Sequence, residues 1–143
     1  MRVEEVMTRS AECISPEATV QEAAERMRTL DVGALPVCDN GRLVGMITDR
    51  DITVRSVSEG YNPRIDIVLE VMTPDVVYCF EDQDVTEAAK LMKEKQIRRL
   101  AVLKRDRRLA GVVSLGDLAV ESGNELLVGE ALEGISEPSS PQR

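Results

Sequence analysis

Between residues 19 and 31 the apolar side chains fall at Val20, Ala23, Ala24, Met27 and Leu30, three or four positions apart. That spacing places them on one face of an α-helix. Thr19 and Glu22 stand in the Thr-x-x-Glu order that caps a helix at its start. The period then shortens. ALPVCD (34–39) and RLVGMIT (42–48) read as two strands, and the Asn40-Gly41 between them suits a tight hairpin turn with positive φ. A second helix opens at TDRDI, and a short apolar run, SAECIS (10–15), precedes the first helix. The same order returns further along the chain. VVYCF (76–80) is followed by a helix beginning at Asp84 and Glu87, then by the strands LAVLK and RLAGVVS, then by a helix opening at SLGDL. Each copy is a β-α-β-β-α unit.

The two copies also match residue by residue. EVMT occurs at 5–8 and again at 70–73, an offset of 65. At that offset TVQEAAERM (19–27) falls on DVTEAAKLM (84–92), and GALPV (33–37) falls on RRLAV (98–102). One extra residue enters the second copy at the KRDRR turn, after which LVGMITDRDITV (43–54) falls on LAGVVSLGDLAV (109–120). Colinear matches with a single one-residue gap, placed in a loop, indicate a true internal repeat. The chain therefore divides into a first repeat at 1–59, a linker at 60–65, a second repeat at 66–122 and an extension at 123–143. In the extension, NELLVGEAL can form a short helix, and SEPSSPQR reads as a disordered tail. One repeat alone buries too little surface to be comfortable, so the two are expected to pair strand faces and share one core. The fold class is α/β in the broad α+β sense.

Composition narrows the chemistry. Only 2% of residues are aromatic, so the core must be aliphatic. There is no histidine, which removes the commonest general base and the commonest transition-metal ligand. No HExxH, GxSxG or Walker sequence is present, so neither a catalytic residue nor a metal site is expected. The three cysteines, Cys13, Cys38 and Cys79, show no CxxC spacing and lie in apolar, strand-like runs. They read as small core hydrophobes rather than as a disulfide framework or a thiolate zinc site. The formal net charge of −8 argues against nucleic acid as a partner. With no apolar stretch near the roughly 20 residues that span a bilayer and no signal-peptide start, a cytoplasmic protein without membrane contact is expected. One segment, KEKQIRRLAVLKRDRR (93–108), runs against the overall charge, with eight basic residues and two acidic ones. Lys104 to Arg108 read as an exposed turn, whereas Arg98 and Arg99 at a strand start could hold a small anion.

EVMT, TVQEAAERM and VGALPVCDNGRLVGMITDRDI, together with their second-copy counterparts, resemble the CBS-domain family over roughly residues 1–121. The resemblance includes the tandem arrangement known as a Bateman module. It implies a pseudo-twofold pair of repeats with no attached effector domain, no required cofactor, and a regulatory ligand containing adenosine, such as AMP, ATP, NAD or S-adenosylmethionine. It also implies a homodimer formed through the helices and an unidentified protein effector.

The family's ribose-binding pattern, Gly-h-x-Thr/Ser-x-x-Asp, is similar to Gly45-Met46-Ile47-Thr48-Asp49-Arg50-Asp51 and to Gly111-Val112-Val113-Ser114-Leu115-Gly116-Asp117. A carboxylate can accept both vicinal ribose hydroxyls, and a hydroxyl at a helix start can cap the helix or reach a phosphate. The plain alternative is that Thr48 and Ser114 are only N-caps and the aspartates only first-turn charges. By resemblance the clefts cross the repeats. Asp51, with Arg50 assisting, then faces Val76, Val77, Ile97, Arg98 and Arg99. Asp117 faces Thr8, Ala11, Val32 and Gly33. The arginines make the Asp51 cleft the better expected place for a charged nucleotide, with adenine held between aliphatic side chains. A ligand-free dimerisation or docking protein is the competing function.

Overall fold

The computed structural model describes residues 1–9 and 12–138. Both hairpins form. β2 (Ala34–Asp39) and β3 (Arg42–Thr48) run antiparallel, with Ala34 opposite Thr48 and Asp39 opposite Arg42. Asn40 and Gly41 take φ of 52° and 81°, the left-handed pair that a two-residue type I′ turn requires. β5 (Arg99–Leu103) and β6 (Leu109–Ser114) repeat the hairpin through a longer turn, where Arg107 takes a φ of 72°.

The helices preceding the hairpins also match. α1 (Val20–Leu30) starts with the Thr19 Oγ1 accepting the Glu22 N–H at 3.1 Å. The N-cap of the later helix, Val85–Lys95, is Asp84, whose carboxylate accepts the Thr86 N–H at 2.9 Å. Both helices end in a left-handed residue, Asp31 and Gln96, each at φ 55°. The next N–H, of Val32 or Ile97, then reaches back to the carbonyl of Met27 or Met92 at 3.0 Å, which turns the chain into its strand.

The chain forms two compact units, and their division cuts across the repeats. The β5–β6 unit contains the N-terminal EVMT segment, and the β2–β3 unit contains the second EVMT. In the β5–β6 unit a short 3-10 helix (Val3–Glu5) leads into β1 (Thr8–Arg9), which pairs antiparallel with β6, Thr8 opposite Val112. On the other side β4 (Tyr78–Phe80) pairs parallel with β5, Cys79 opposite Val102, giving the strand order β1-β6-β5-β4. The β2–β3 unit reproduces this order with single bridged residues in place of outer strands. Thr73 lies antiparallel to Met46, and Ile14 lies parallel to Val37. The apolar run SAECIS was expected to supply an outer strand. Its first two residues, Ser10 and Ala11, lie outside the described residues, and of the remainder Ile14 makes this one bridge.

Two glycines explain why the EVMT segments can come so close. A Cβ at Gly45 would stand 2.8 Å from the Thr73 carbonyl oxygen and 2.6 Å from the Met72 sulfur. A Cβ at Gly111 would collide still harder with the Thr8 carbonyl oxygen. Only a residue without a side chain lets the backbone pass at that distance.

The buried side chains form two clusters, one in each unit. Leu100, Leu118, Met92, Val102 and Val113 lie at the centre of the β5–β6 unit. Leu35, Ile47, Val20, Val37 and Val68 lie at the centre of the other. Each fully buried aliphatic side chain contributes about 1.5–3 kcal/mol. In the β5–β6 unit the helix numbered α4, Val85–Lys95, packs against α6 (Glu125–Ser136), whose Ala131 joins the core. Gln96 fastens α6 by donating from Nε2 to the carbonyls of Gly134 at 3.2 Å and Glu137 at 2.8 Å. The expected tail beyond residue 138 lies outside the described residues.

The helices after the hairpins differ. α5 (Leu115–Glu121) is regular. Its counterpart α2 (Asp49–Asp51) lasts one turn and widens into a π-helical stretch at Ile52–Val57. Ile52, Thr53 and Val54 are three successive β-branched residues, which crowd a standard helical turn. A short helix, α3 (Val68–Val71), precedes Thr73. Among the described residues no helix is long and apolar enough to cross a membrane.

Asp84 joins the chain start to the cap of α4. The Met1 ammonium lies 3.2 Å from its Oδ1, and hydrogen bonds from Thr86, first, and then from the N-terminus pull its pKa down to about 2. A carboxylate with a lowered folded pKa stabilises the fold above its ordinary value and loses that contribution as pH falls through the folded one. Asp84→Asn is therefore expected to flatten the loss of stability between pH 3.8 and about 2, measured by urea unfolding across that range. An unchanged pH slope would contradict this role.

Candidate functional site

The end of β3 and the start of α2 form a closed hydrogen-bonded ring. Thr48 is extended, at φ −117° and ψ 163°, and its Oγ1 accepts the Asp51 N–H at 3.0 Å. In return the Thr48 N–H donates to Asp51 Oδ2, also at 3.0 Å. β6 and α5 build the same ring. The Asp117 N–H donates to Ser114 Oγ at 3.0 Å, and the Ser114 N–H donates to Asp117 Oδ2 at 2.9 Å. Both are capping boxes with aspartate in the position usually held by Glu or Gln. The plain reading of these residues as helix caps is thus physically present in both units. It also fixes the carboxylates. In each aspartate Oδ2 is committed to the backbone, and Oδ1 makes no hydrogen bond among the described residues. Asp51 is 13% exposed, so its remaining oxygen sits in a shielded place.

The surroundings of the two rings diverge. In both units the strand entering the hairpin touches the helix start through one backbone bond, from Asp49 N–H to the Gly33 carbonyl at 3.0 Å and from Leu115 N–H to the Arg98 carbonyl at 2.8 Å. Position for position, an exposed Asp49 beside Gly33 is replaced by a buried Leu115 beside Arg98. A Cβ at Gly33 would lie 3.1 Å from Asp49 Oδ2, so that carboxylate covers the glycine directly. The helix start of the β2–β3 unit therefore carries two carboxylates, Asp49 and Asp51. That of the β5–β6 unit carries Asp117, and its first helical residue, Leu115, is bonded to the backbone of Arg98, which with the adjacent Arg99 is exposed. Neither arginine has an ion-pair partner among the described residues.

The structure distributes the expected residues as follows. Met46, Thr48, Arg50, Asp51 and Val76 lie in the β2–β3 unit, as do Val32 and Gly33. Thr8, Val77, Ile97, Arg98, Arg99, Val112, Ser114 and Asp117 lie in the β5–β6 unit. Backbone pairing brings Thr8 directly to Val112, within the motif of Asp117. Of the residues expected opposite Asp51, Val76 shares its unit; Ala11, expected with Asp117, lies outside the described residues. Met46, Val76, Val77, Ile97 and Val112 are half-buried, while Thr8, Val32 and Arg50 are exposed.

Three contributors were not singled out from the sequence. Thr73 exchanges two backbone hydrogen bonds with Met46, at 2.9 and 2.8 Å, and so occupies the place that Thr8 holds in the other unit. The EVMT repeat carried that signal. Arg55 lies 3.9 Å from Asp51 Oδ1 and donates to the Met72 carbonyl at 3.2 Å, linking the motif to the C-terminal end of α3. Its i+4 spacing from Asp51 was legible. Asp49 is the third, and its effect rests on the nearby glycine, which no local pattern announces. Among the described residues no group of three or more Cys, Asp or Glu side chains is placed to hold a metal ion.

The sequence model of the CBS domain matches residues 3–57 and 68–123. The chain is 40% identical over 134 residues to the CBS domain-containing protein YhcV of Bacillus subtilis, covering 94% of each protein. The crystal structure of Hypoxic Response Protein I with two coordinated zinc ions superposes with a TM-score of 0.78 at 33% identity, over 85% of this chain and 98% of that one. That of CBSX2 in complex with AMP superposes with a TM-score of 0.74 at 27% identity, over 85% of this chain and 95% of that one.

Removing either cap hydroxyl should destabilise its helix start. Thr48→Ala and Ser114→Ala are each expected to cost about 1 kcal/mol, read from urea midpoints at constant slope. A midpoint unchanged in either variant would show that its ring does not hold the helix.

Proposed function

The chain belongs to the CBS-domain family, and from that premise we propose that it is a regulatory module that binds an adenosine-containing nucleotide through its two Gly-h-x-Thr/Ser-x-x-Asp motifs and transmits the binding to a protein effector. The observation that carries this reading is that Oδ1 of Asp51 and of Asp117 accepts no hydrogen bond among the described residues, although Arg55 lies 3.9 Å from that of Asp51. Each is held in place by a capping box and is suited to accept the hydroxyls of a ribose. The AMP in the CBSX2 complex supports the ligand class. Arg98 and Arg99 are exposed cations suited to phosphate. Met46, Val76, Val77, Ile97 and Val112 supply half-buried aliphatic surface suited to adenine. Thr8, Val32, Gly33 and Arg50 complete the proposed contacts. The reading is regulatory rather than catalytic.

Homodimerisation belongs to the same proposal, and the fold sharpens it. α1 and α4 both carry a pair of alanines, small enough for a second helix to pack closely. Ala89 of α4 is buried at 1% exposure in the cluster that includes Ala131 of α6, whereas its counterpart Ala24 of α1 is exposed. Exposure of Ala24 therefore favours the face of α1 over that of α4 for a second chain. Sedimentation at micromolar concentration should show a species heavier than 15.8 kDa. A solution containing only that mass would remove the dimer from the proposal.

Calorimetric titration with AMP, ATP, NAD and adenosine tests the ligand. Asp51→Ala should weaken binding roughly ten- to a hundredfold, the equivalent of one or two charge-assisted hydrogen bonds. Asp51→Asn separates recognition from capping, because the amide oxygen can still accept the Thr48 N–H while the charge is gone. On the cross-repeat pairing that the resemblance implies, with Arg98 serving the Asp51 motif, Asp117→Ala is expected to weaken a charged nucleotide less, and Arg98→Ala to weaken AMP and ATP more than adenosine. No heat with any of the four ligands would favour the ligand-free interaction protein. Equal binding by wild type and Asp51→Ala would reduce Asp51 to a helix cap.

A further inference from the structure

We propose that Cys13 and Cys38 form a reversible intramolecular disulfide when the protein meets a hydroperoxide. Both residues belong to the β2–β3 unit, and each is one position from the bridged pair Ile14 and Val37. The Ile14 N–H donates to the Pro36 carbonyl at 2.9 Å, and the Cys38 N–H donates to the Ile14 carbonyl at 3.0 Å. These bonds clamp the backbone that follows Cys13 against the backbone that carries Cys38. Alternation along extended chains turns both cysteines to the face opposite Ile14 and Val37. The register of β2 shifts between Val37 and Cys38, which loosens the ladder at the residue concerned. Reading the cysteines as three equivalent core hydrophobes misses this pairing, because Cys13 and Cys38 are far apart in sequence and only the Ile14–Val37 bridge joins them.

Each thiol acts on the other: the Cys38 side chain lowers the pKa of Cys13, and the Cys13 side chain, with burial, raises that of Cys38. Cys13 is half-exposed and Cys38 is buried, so their roles divide. Cys13 is the sulfur a peroxide can reach and the one that more readily becomes a thiolate. Its thiolate attacks one peroxide oxygen, the O–O bond breaks, and the departing oxygen takes up the thiol's proton as water or alcohol. Cys13 is left as a sulfenic acid. The Cys38 sulfur then attacks the Cys13 sulfur, the S–O bond breaks, and hydroxide leaves as water with the Cys38 proton. Two thiols are oxidised by two electrons and one peroxide is reduced by two. The new bond ties the segment before α1 to β2 and encloses α1 in a covalent loop. A thiol reductant reverses it.

Cys79 is the internal control. It lies in the β5–β6 unit, is 3% exposed, and burial pushes its thiol up to about 12. The test treats the full-length protein with hydrogen peroxide, alkylates under denaturing conditions, and maps peptides by mass. Of the three free thiols, one, Cys79, is expected to remain. The Cys13 and Cys38 peptides should be joined within one chain and lighter by two hydrogen atoms, and reductant should restore all three thiols. Cys13→Ser and Cys38→Ser should each give no linked peptide. Retention of three thiols, a link to Cys79, a link between two chains, or Cys13 recovered only as sulfinic acid would each overturn the proposal. The wild-type experiment alone decides the matter if a variant fails to fold.

Discussion

The structure depends on a close backbone crossing made twice. Thr73 passes over Gly45 and pairs with Met46; Thr8 passes over Gly111 and pairs with Val112. Each crossing hands the end of one EVMT segment to the hairpin of the other repeat. The outer position of each sheet is filled in this way, and the buried valines of the same segments, Val3 and Val6 in one unit and Val68 and Val71 in the other, enter the core beside it. A side chain at either glycine would push the segment off its hairpin, and both the sheet order and the core would lose a member.

The candidate site grows out of the same strand. Three residues beyond each glycine the strand ends in a hydroxyl that caps a helix, and three residues further an aspartate returns the hydrogen bond. The folding requirement and the proposed chemistry use different oxygens of one carboxylate. Oδ2 satisfies an otherwise orphaned backbone N–H, and Oδ1 is left in a fixed position by that commitment. Pre-orientation of this kind lowers the entropy that a ligand's hydroxyls would otherwise have to overcome. The two motifs then diverge through their neighbours, with Asp49 on Gly33 in one unit and Leu115 beside Arg98 in the other.

Much of this was legible in the sequence because it is local or periodic. The spacing of Val20, Ala23 and Met27 located α1, and Asn40-Gly41 located the first turn. Thr48 with Asp51 and Ser114 with Asp117 marked both helix starts. What the sequence did not show depends on partners distant in the chain. That Thr8 would add a strand beside β6, in addition to the run at SAECIS, follows from the space over Gly111. That α6 would cover Ala89 while Ala24 stayed exposed follows from the reach of Gln96 to Gly134 and Glu137. The π-helical turn at Ile52–Val57 reflects β-branched crowding that the repeat obscured, since the second copy reads LAV where the first reads ITV.

The crossing is tested most directly by urea unfolding of Gly45→Ala and Gly111→Ala, with Gly129→Ala as the reference. Gly129 lies within α6, and a Cβ there would meet nothing within 4 Å. Alanine at that position should raise stability by roughly 0.5–1 kcal/mol, because it restricts the unfolded chain and suits a helix. At Gly45 and Gly111 the same methyl group should lower the unfolding midpoint, and more severely at Gly111, where the obstructing atom is closer. Midpoints for Gly45→Ala and Gly111→Ala equal to or above that of the wild type would contradict the crossing.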